Sequence, residues 1–136
     1  MNRNIARFLG AALLALLTFG ASSLTFSARI AIALVIGLPA FILTIVSRRQ
    51  LGNSFSVIAE AKALVTTGLY SRIQHPIYVF LDLFLLALIL ALDMTILLSV
   101  WGVIVILQLL QARREESVLR ASFGADYEAY AKRTWF

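Results

Sequence analysis

Gln74-His75-Pro76-Ile77-Tyr78 is the stretch on which the reading of this chain turns. It ends a polar segment and opens an apolar run that continues to Leu92. Proline suits the first turn of a helix, where its missing N–H would have no partner anyway. The chain's one histidine therefore stands at the mouth of a helix. Further on, Arg113-Arg114-Glu115-Glu116 follows the end of another apolar run. If both runs cross a membrane, the two polar clusters emerge on the same side and can close one pocket.

Composition supports the membrane. Of 136 residues, 61% are hydrophobic and only 14% charged, against roughly half and a quarter in soluble domains. The length allows one domain, residues 1–136. There is no cysteine, which excludes disulfides, thiolate metal sites and a cysteine nucleophile. One histidine is too few for an ordinary zinc site, so no metal is expected. The net charge of +5 suits anionic headgroups beside the spans rather than nucleic acid.

The apolar residues fall into four runs, at about 8–26, 30–46, 76–92 and 95–111. The first is long enough to cross a hydrocarbon core of about 30 Å. Its basic start resembles a signal peptide, but its length and the second run that follows favour a span. Gly37 and Pro39 lie inside the second run, where a membrane helix tolerates a kink. Between the second and third runs, residues 47–75 form a polar loop. Within it, residues 59–65 are expected to form a short interfacial helix, and Thr66-Thr67-Gly68 a turn. The third and fourth runs, joined at Asp93, form an antiparallel hairpin. From Ala112 onward, charged residues alternate with Val118, Leu119, Phe123, Tyr127 and Tyr130. That pattern predicts a helix leaving the membrane, a break at Gly124, then a short amphipathic surface helix. The expected class is an all-α polytopic membrane protein of about four spans. Nearly all Lys and Arg lie on the side of the termini and the central loop, and only Arg29 lies opposite. The positive-inside rule makes that side cytoplasmic.

Taken singly, the polar residues are ambiguous. His75 alone reads first as a helix-start residue hydrogen-bonding at the interface, and Tyr70 and Tyr78 as an aromatic belt. Glu115 and Glu116 read as a local ion-pair cluster with Arg113 and Arg114, or as a pocket for a zwitterion. In such a pocket carboxylates hold ammonium or ribose hydroxyls and arginine holds a carboxylate. Asp82 is an intramembrane acid, a functional candidate by default, unless it reaches the interface.

The ordered set is more specific. Leu64-Val65-Thr66-Thr67-Gly68-Leu69-Tyr70, His75-Pro76-Ile77-Tyr78, Glu115-Glu116 with Leu119, and Phe123-Gly124 with Tyr127 and Tyr130 occur in that order. This set resembles the isoprenylcysteine carboxyl methyltransferases and their relatives, the phospholipid N-methyltransferases. The likeness runs from about Leu51 to the end. It implies an integral membrane enzyme that uses S-adenosylmethionine to methylate a lipophilic acceptor entering from the bilayer. That acceptor is a prenylcysteine-like carboxylate, a phospholipid amine or a small thiol or lipid. Carried over, Leu64, Val65, Tyr70, His75, Pro76 and Tyr78 line the cofactor, Glu115 and Glu116 close the pocket, and the Tyr127–Tyr130 helix covers it. Glu116 and Arg113 are the candidate catalytic residues, Glu116 as proton acceptor for an amine and Arg113 as a cation for an anionic group. Gln74 stands where the family has arginine, and Phe80 where it often has glycine. The alternatives are a non-catalytic membrane scaffold of the same fold and a sterol-reductase-like oxidoreductase using NADPH.

Overall fold

The computed structural model describes residues 25–52 and 63–135, which contain helices and irregular chain and no strand. The expected first span lies outside these residues except for its last two positions. Among the described residues there are three α-helices: α1 (Phe26–Leu51), α2 (Pro76–Leu92) and α3 (Leu97–Arg133), with a 3-10 turn at Gly68–Ser71 before α2. The expected runs 30–46 and 76–92 fall on α1 and α2, and run 95–111 falls on α3 except for Thr95 and Ile96, which precede it. By length and apolarity α1 and α3 are long enough to cross a membrane, and α2 is a shorter apolar helix.

Helix α1 starts earlier and ends later than its apolar run. Thr25 caps it, accepting from the Ala28 N–H at 3.3 Å, so Arg29 sits in the first turn of the helix rather than in a loop. At the other end Ser47 is fully buried and donates to the Leu43 carbonyl at 2.7 Å, which lets a polar residue continue the helix. Arg48 and Arg49 occupy the last turn, where cations meet the negative end of the helix dipole. Gly52, at φ 52°, ends it.

Small residues bring α1 and α2 together. A Cβ on buried Gly37 would lie 3.1 Å from Ala87 Cβ, and Ala40 and Ala87 are both buried. Close approach at small side chains is how membrane helices gain packing without a hydrophobic driving force between them. Leu86, Ile89 and Leu90 fill the rest of the seam, with Phe41 against Phe84 at 5.2 Å between ring centres. Outward faces are apolar: Val35 and Leu38 on α1, Val103 and Ile106 on α3 are all exposed.

Asp93, in the left-handed conformation, caps α2 and turns the chain towards α3. Arg29 forms an ion pair with Asp93. This fastens the start of α1 to the hairpin turn, at the end opposite His75.

At the His75 end the expected interfacial helix is absent from the described part of its range. Ala63, Leu64 and Val65 are not helical. Branched Val65, Thr66 and Thr67 resist helix, and the next donor is claimed elsewhere: the Leu69 N–H donates to Gln50 Oε1 at 2.9 Å. The expected turn at Gly68 is present. Gly68 has φ 61°, and a Cβ there would meet the Gln50 side chain at 2.5 Å. Only glycine suits both conditions.

Helix α3 is continuous from the hairpin through Glu115 and Glu116, and breaks at Gly124 (φ 50°, ψ −118°) as the sequence predicts. Beyond the break, Tyr127 and Tyr130 turn inward and are buried.

Candidate functional site

The His-Pro step builds the site through what His75 does not do. It is the N-cap of α2, yet its side chain makes no capping bond. Its carbonyl accepts from the Val79 N–H at 3.2 Å, and Pro76 removes one orphan donor. The imidazole is thereby left to face α3. It lies largely buried between two carboxylates, Nδ1 3.4 Å from Glu115 Oε2 and Nε2 3.6 Å from Glu116 Oε1. Both distances are long for hydrogen bonds and suit charge contact. Burial alone disfavours the imidazolium, but the two carboxylates outweigh it, and the pKa of His75 is raised above its ordinary value.

One turn into α2, Tyr78 lies parallel to the imidazole, with ring centres 5.6 Å apart and planes 13° apart. Its hydroxyl donates to Glu115 Oε1 at 2.7 Å, and the Gln111 amide donates to the same oxygen at 3.2 Å. Burial pushes Glu115 towards its neutral form; His75, Tyr78 and Gln111 reverse this and lower its pKa. The result is a carboxylate whose ionised form is favoured, held against an imidazole whose charged form is favoured, with Glu116 beside it.

The resemblance places Tyr70, His75, Pro76, Tyr78, Glu115 and Glu116 together, and here they share one end of the bundle. Pro76 and Tyr70 are buried. Burial, then Tyr130 and Glu115, raise the Tyr70 phenol pKa. Leu64 and Val65 are half-buried in the segment leading to Gly68. Arg113 and Arg114 are exposed on α3, and the contacts around His75 do not include Arg113.

Two features were not legible in the sequence. Gln74 does not face the carboxylates. Its Nε2 donates to Thr134 Oγ1 at 2.6 Å, and the Tyr127 hydroxyl donates to its Oε1 at 3.5 Å. With the Tyr130 hydroxyl on the Tyr70 carbonyl at 2.8 Å and the Trp135 N–H on the Arg72 carbonyl at 2.9 Å, it holds the C-terminal helix against the loop that precedes His75. The second feature is a polar seam. His75, Tyr78 and Asp82 on α2 face Glu115, Gln111 and Gln108 on α3, each set spaced three and four residues apart. The signal was that spacing, which puts each set on one helix face. At the inner end Gln108, its amide oriented to donate, has its nitrogen 2.7 Å from Asp82 Oδ2 and 3.2 Å from Oδ1. The Trp101 indole donates to the Asp82 carbonyl at 3.2 Å.

A family model described as phospholipid methyltransferase matches residues 27–126. No curated protein and no solved structure matches the chain. The matched segment runs from the first turn of α1 past the Gly124 break, so it contains nearly all of α1, all of α2, most of α3 and every member of the His75–Glu115–Glu116 group. A match over that much of the chain places it: this protein belongs to the phospholipid methyltransferase family.

Proposed function

We propose that the protein is an integral membrane methyltransferase that moves a methyl group from S-adenosylmethionine to a lipophilic acceptor drawn from the bilayer. The observation that carries the reading is the position of His75 between Glu115 and Glu116, with Tyr78 donating to Glu115. It has the polar density of a small-molecule site at the end of an apolar bundle.

The residues suit the cofactor. S-adenosylmethionine has an ammonium group, a sulfonium and ribose hydroxyls, all of which carboxylates recognise. His75 Nε2 is buried with no partner at hydrogen-bond distance, and such an atom costs free energy unless a ligand satisfies it. Glu115 and Glu116 are assigned to cofactor binding. Tyr78 and Gln111 fix Glu115, His75 offers an N–H between the carboxylates, and Leu64, Val65 and Tyr70 supply the apolar wall. The C-terminal helix, held by Gln74, excludes water from above. Arg113, exposed at the rim, meets the anionic part of an acceptor headgroup.

When bound, the cofactor supplies an already activated methyl group, so the protein's work is positioning and dryness. No covalent nucleophile is required. With the His75 end cytoplasmic under the positive-inside rule, a water-soluble cofactor reaches the site from the cytosol and the acceptor reaches it along the helices.

Calorimetric titration of the detergent-solubilised protein with S-adenosylhomocysteine tests this. Saturable binding that is lost in His75→Ala and Glu116→Ala, with NADPH giving none, is the expected result. Absence of binding in a folded wild-type sample would instead favour a scaffold of the same fold.

A further inference from the structure

The last helix meets the membrane differently from what its sequence suggests. An amphipathic surface helix lays its apolar side among the headgroups. Here Tyr127 and Tyr130 are turned onto the protein instead, buried against the loop before His75. What remains outward is one edge. It holds Arg72 of that loop, Lys132 and Arg133 of the helix end, and Trp135, which is 70% exposed.

The fold returns this edge to the level of the bilayer surface. Beyond Glu116, α3 runs out for roughly 11 Å to Phe123, and after the Gly124 bend roughly 12 Å of helix leads to Arg133. The second leg comes back towards the bundle. The Tyr130 hydroxyl donates to the Tyr70 carbonyl, and the Trp135 N–H to the Arg72 carbonyl. Arg72 stands four residues before Pro76, where apolar α2 begins. An exposed indole at that height sits where tryptophan collects, among the headgroups.

The charge of the edge is uncompensated. No ion pair involves Arg72, Lys132 or Arg133 among the described residues. Glu128, one turn before Lys132, is engaged by Arg120 at 2.5 Å. Lys132 and Arg133 also complement the negative end of the helix dipole. That account does not extend to Arg72, which lies in the loop. Arg72 stands on one side of the backbone bond that joins loop and tail, with Lys132 and Arg133 on the other. Like charges on both sides weaken that bond.

We infer that this edge is a docking surface for anionic phospholipid headgroups of the leaflet at the His75 end, and that their charge tightens the tail over that end. The inference rests on the membrane orientation proposed above, not on methyl transfer. Phosphates between Arg72 and the Lys132–Arg133 pair replace repulsion by attraction on both sides of the bond. Each Lys or Arg beside an anionic leaflet is favoured roughly fivefold, and a zwitterionic leaflet gives little of this. The Arg72 and Gln74 contacts belong to the loop that ends in His75, so the leaflet's charge reaches the candidate site through the backbone.

The test uses nanodiscs of phosphatidylcholine carrying equal fractions of brominated phosphatidylglycerol or brominated phosphatidylcholine. In a Trp101→Phe background Trp135 is the single tryptophan. Brominated phosphatidylglycerol should quench it at least roughly twofold more strongly than brominated phosphatidylcholine, and high salt should remove the difference. Arg72→Gln, Lys132→Gln and Arg133→Gln combined should abolish the difference while quenching by brominated phosphatidylcholine stays unchanged, which shows the tail still folded at the interface. Exchange of the Trp135 amide should slow about fivefold when phosphatidylglycerol replaces part of the phosphatidylcholine, and should ignore the replacement in the combined variant. Equal quenching by the two lipids, or a preference that survives the combined variant, would overturn the inference and leave the cations as dipole partners. Wild-type exchange that ignores lipid charge would overturn the coupling to the tail. A Trp135 quenched by neither lipid, while Trp101 in a Trp135→Phe protein is quenched by both, would also overturn it. Neither tryptophan quenched is a different result, which removes the membrane reading itself.

Discussion

Gln74 reaches sixty residues along the chain to Thr134, its Nε2 2.6 Å from the threonine Oγ1. The amide works in both directions, since its Oε1 accepts from the Tyr127 hydroxyl. Arginine, which the resemblance places at this position, has five donors and no acceptor. It can donate to either hydroxyl but cannot accept the Tyr127 proton. Gln74→Ala is therefore expected to loosen the C-terminal helix. Losing a hydrogen bond worth about 1 kcal/mol raises local opening about fivefold. Hydrogen exchange of the Trp135 amide, which donates to Arg72, reads this directly. Exchange unchanged from wild type would show that the latch lies elsewhere.

His75 is the only histidine in the chain, so one imidazole signal reports the site. Its NMR titration midpoint is expected above 6.5, the ordinary value. Glu115→Gln should lower it, because one of the two carboxylates that hold the imidazolium becomes neutral while burial continues to disfavour the cation. A midpoint that does not move would mean that Glu115 is not its main partner.

The same pair gives stability a pH window. The raised pKa of His75 adds stability that is full below 6.5 and fades as pH rises through its folded value. The lowered pKa of Glu115 adds stability that is full above 4.5 and fades as pH falls through its folded value. Both contributions are complete between those two limits, so thermal stability in detergent should peak there. His75→Ala should flatten the alkaline side of the profile. A wild-type curve that keeps rising above pH 8 would contradict the assignment.

Gly68→Ala should destabilise the loop before α2. A left-handed backbone costs a residue with a Cβ roughly 1–2 kcal/mol, and the new methyl displaces Gln50 from the Leu69 N–H. Adding Gln50→Ala relieves the clash but not the backbone strain. Melting temperatures of the two single variants and the double variant separate these effects, and additive losses would show that Gly68 and Gln50 act independently.

Gly124→Ala should swing the last helix away from the loop. At φ 50° and ψ −118° the backbone sits where only glycine is at ease. The helix is then expected to continue straight, and buried Tyr127 and Tyr130 become accessible. Burial holds the Tyr130 phenol up at about 12, so spectrophotometric titration should find a phenol returning towards 10. Retention of the high value would show that the bend survives without glycine.

How much of this was readable in advance differs by element. The three described apolar helices follow from runs of Leu, Ile, Ala and Val bounded by polar residues, because a bilayer offers the backbone no other way to satisfy itself. Pro76 fixes the start of α2 through its missing N–H, and Gly124 fixes the bend through its missing Cβ. The ordered motifs indicated the family. The ends of α1 were less legible. Thr25 and Ser47 extend the helix through side-chain hydrogen bonds that hydrophobicity does not register.

Tertiary structure decided the pairing. His75 and Glu115 are forty residues apart, and only the hairpin and the α3 register bring them within 3.4 Å. The resemblance marked Gln74 as a departure from the family's arginine; the fold makes it a neutral clamp on the tail, because its two-sided amide meets a hydroxyl on each side. Asp82 and Gln108 lie on two separate apolar runs. Antiparallel packing places them opposite each other, with the Gln108 amide on the Asp82 carboxylate. Composition and local stereochemistry thus determined which segments are helical and where they stop. Which polar side chains meet is a long-range property, settled by packing.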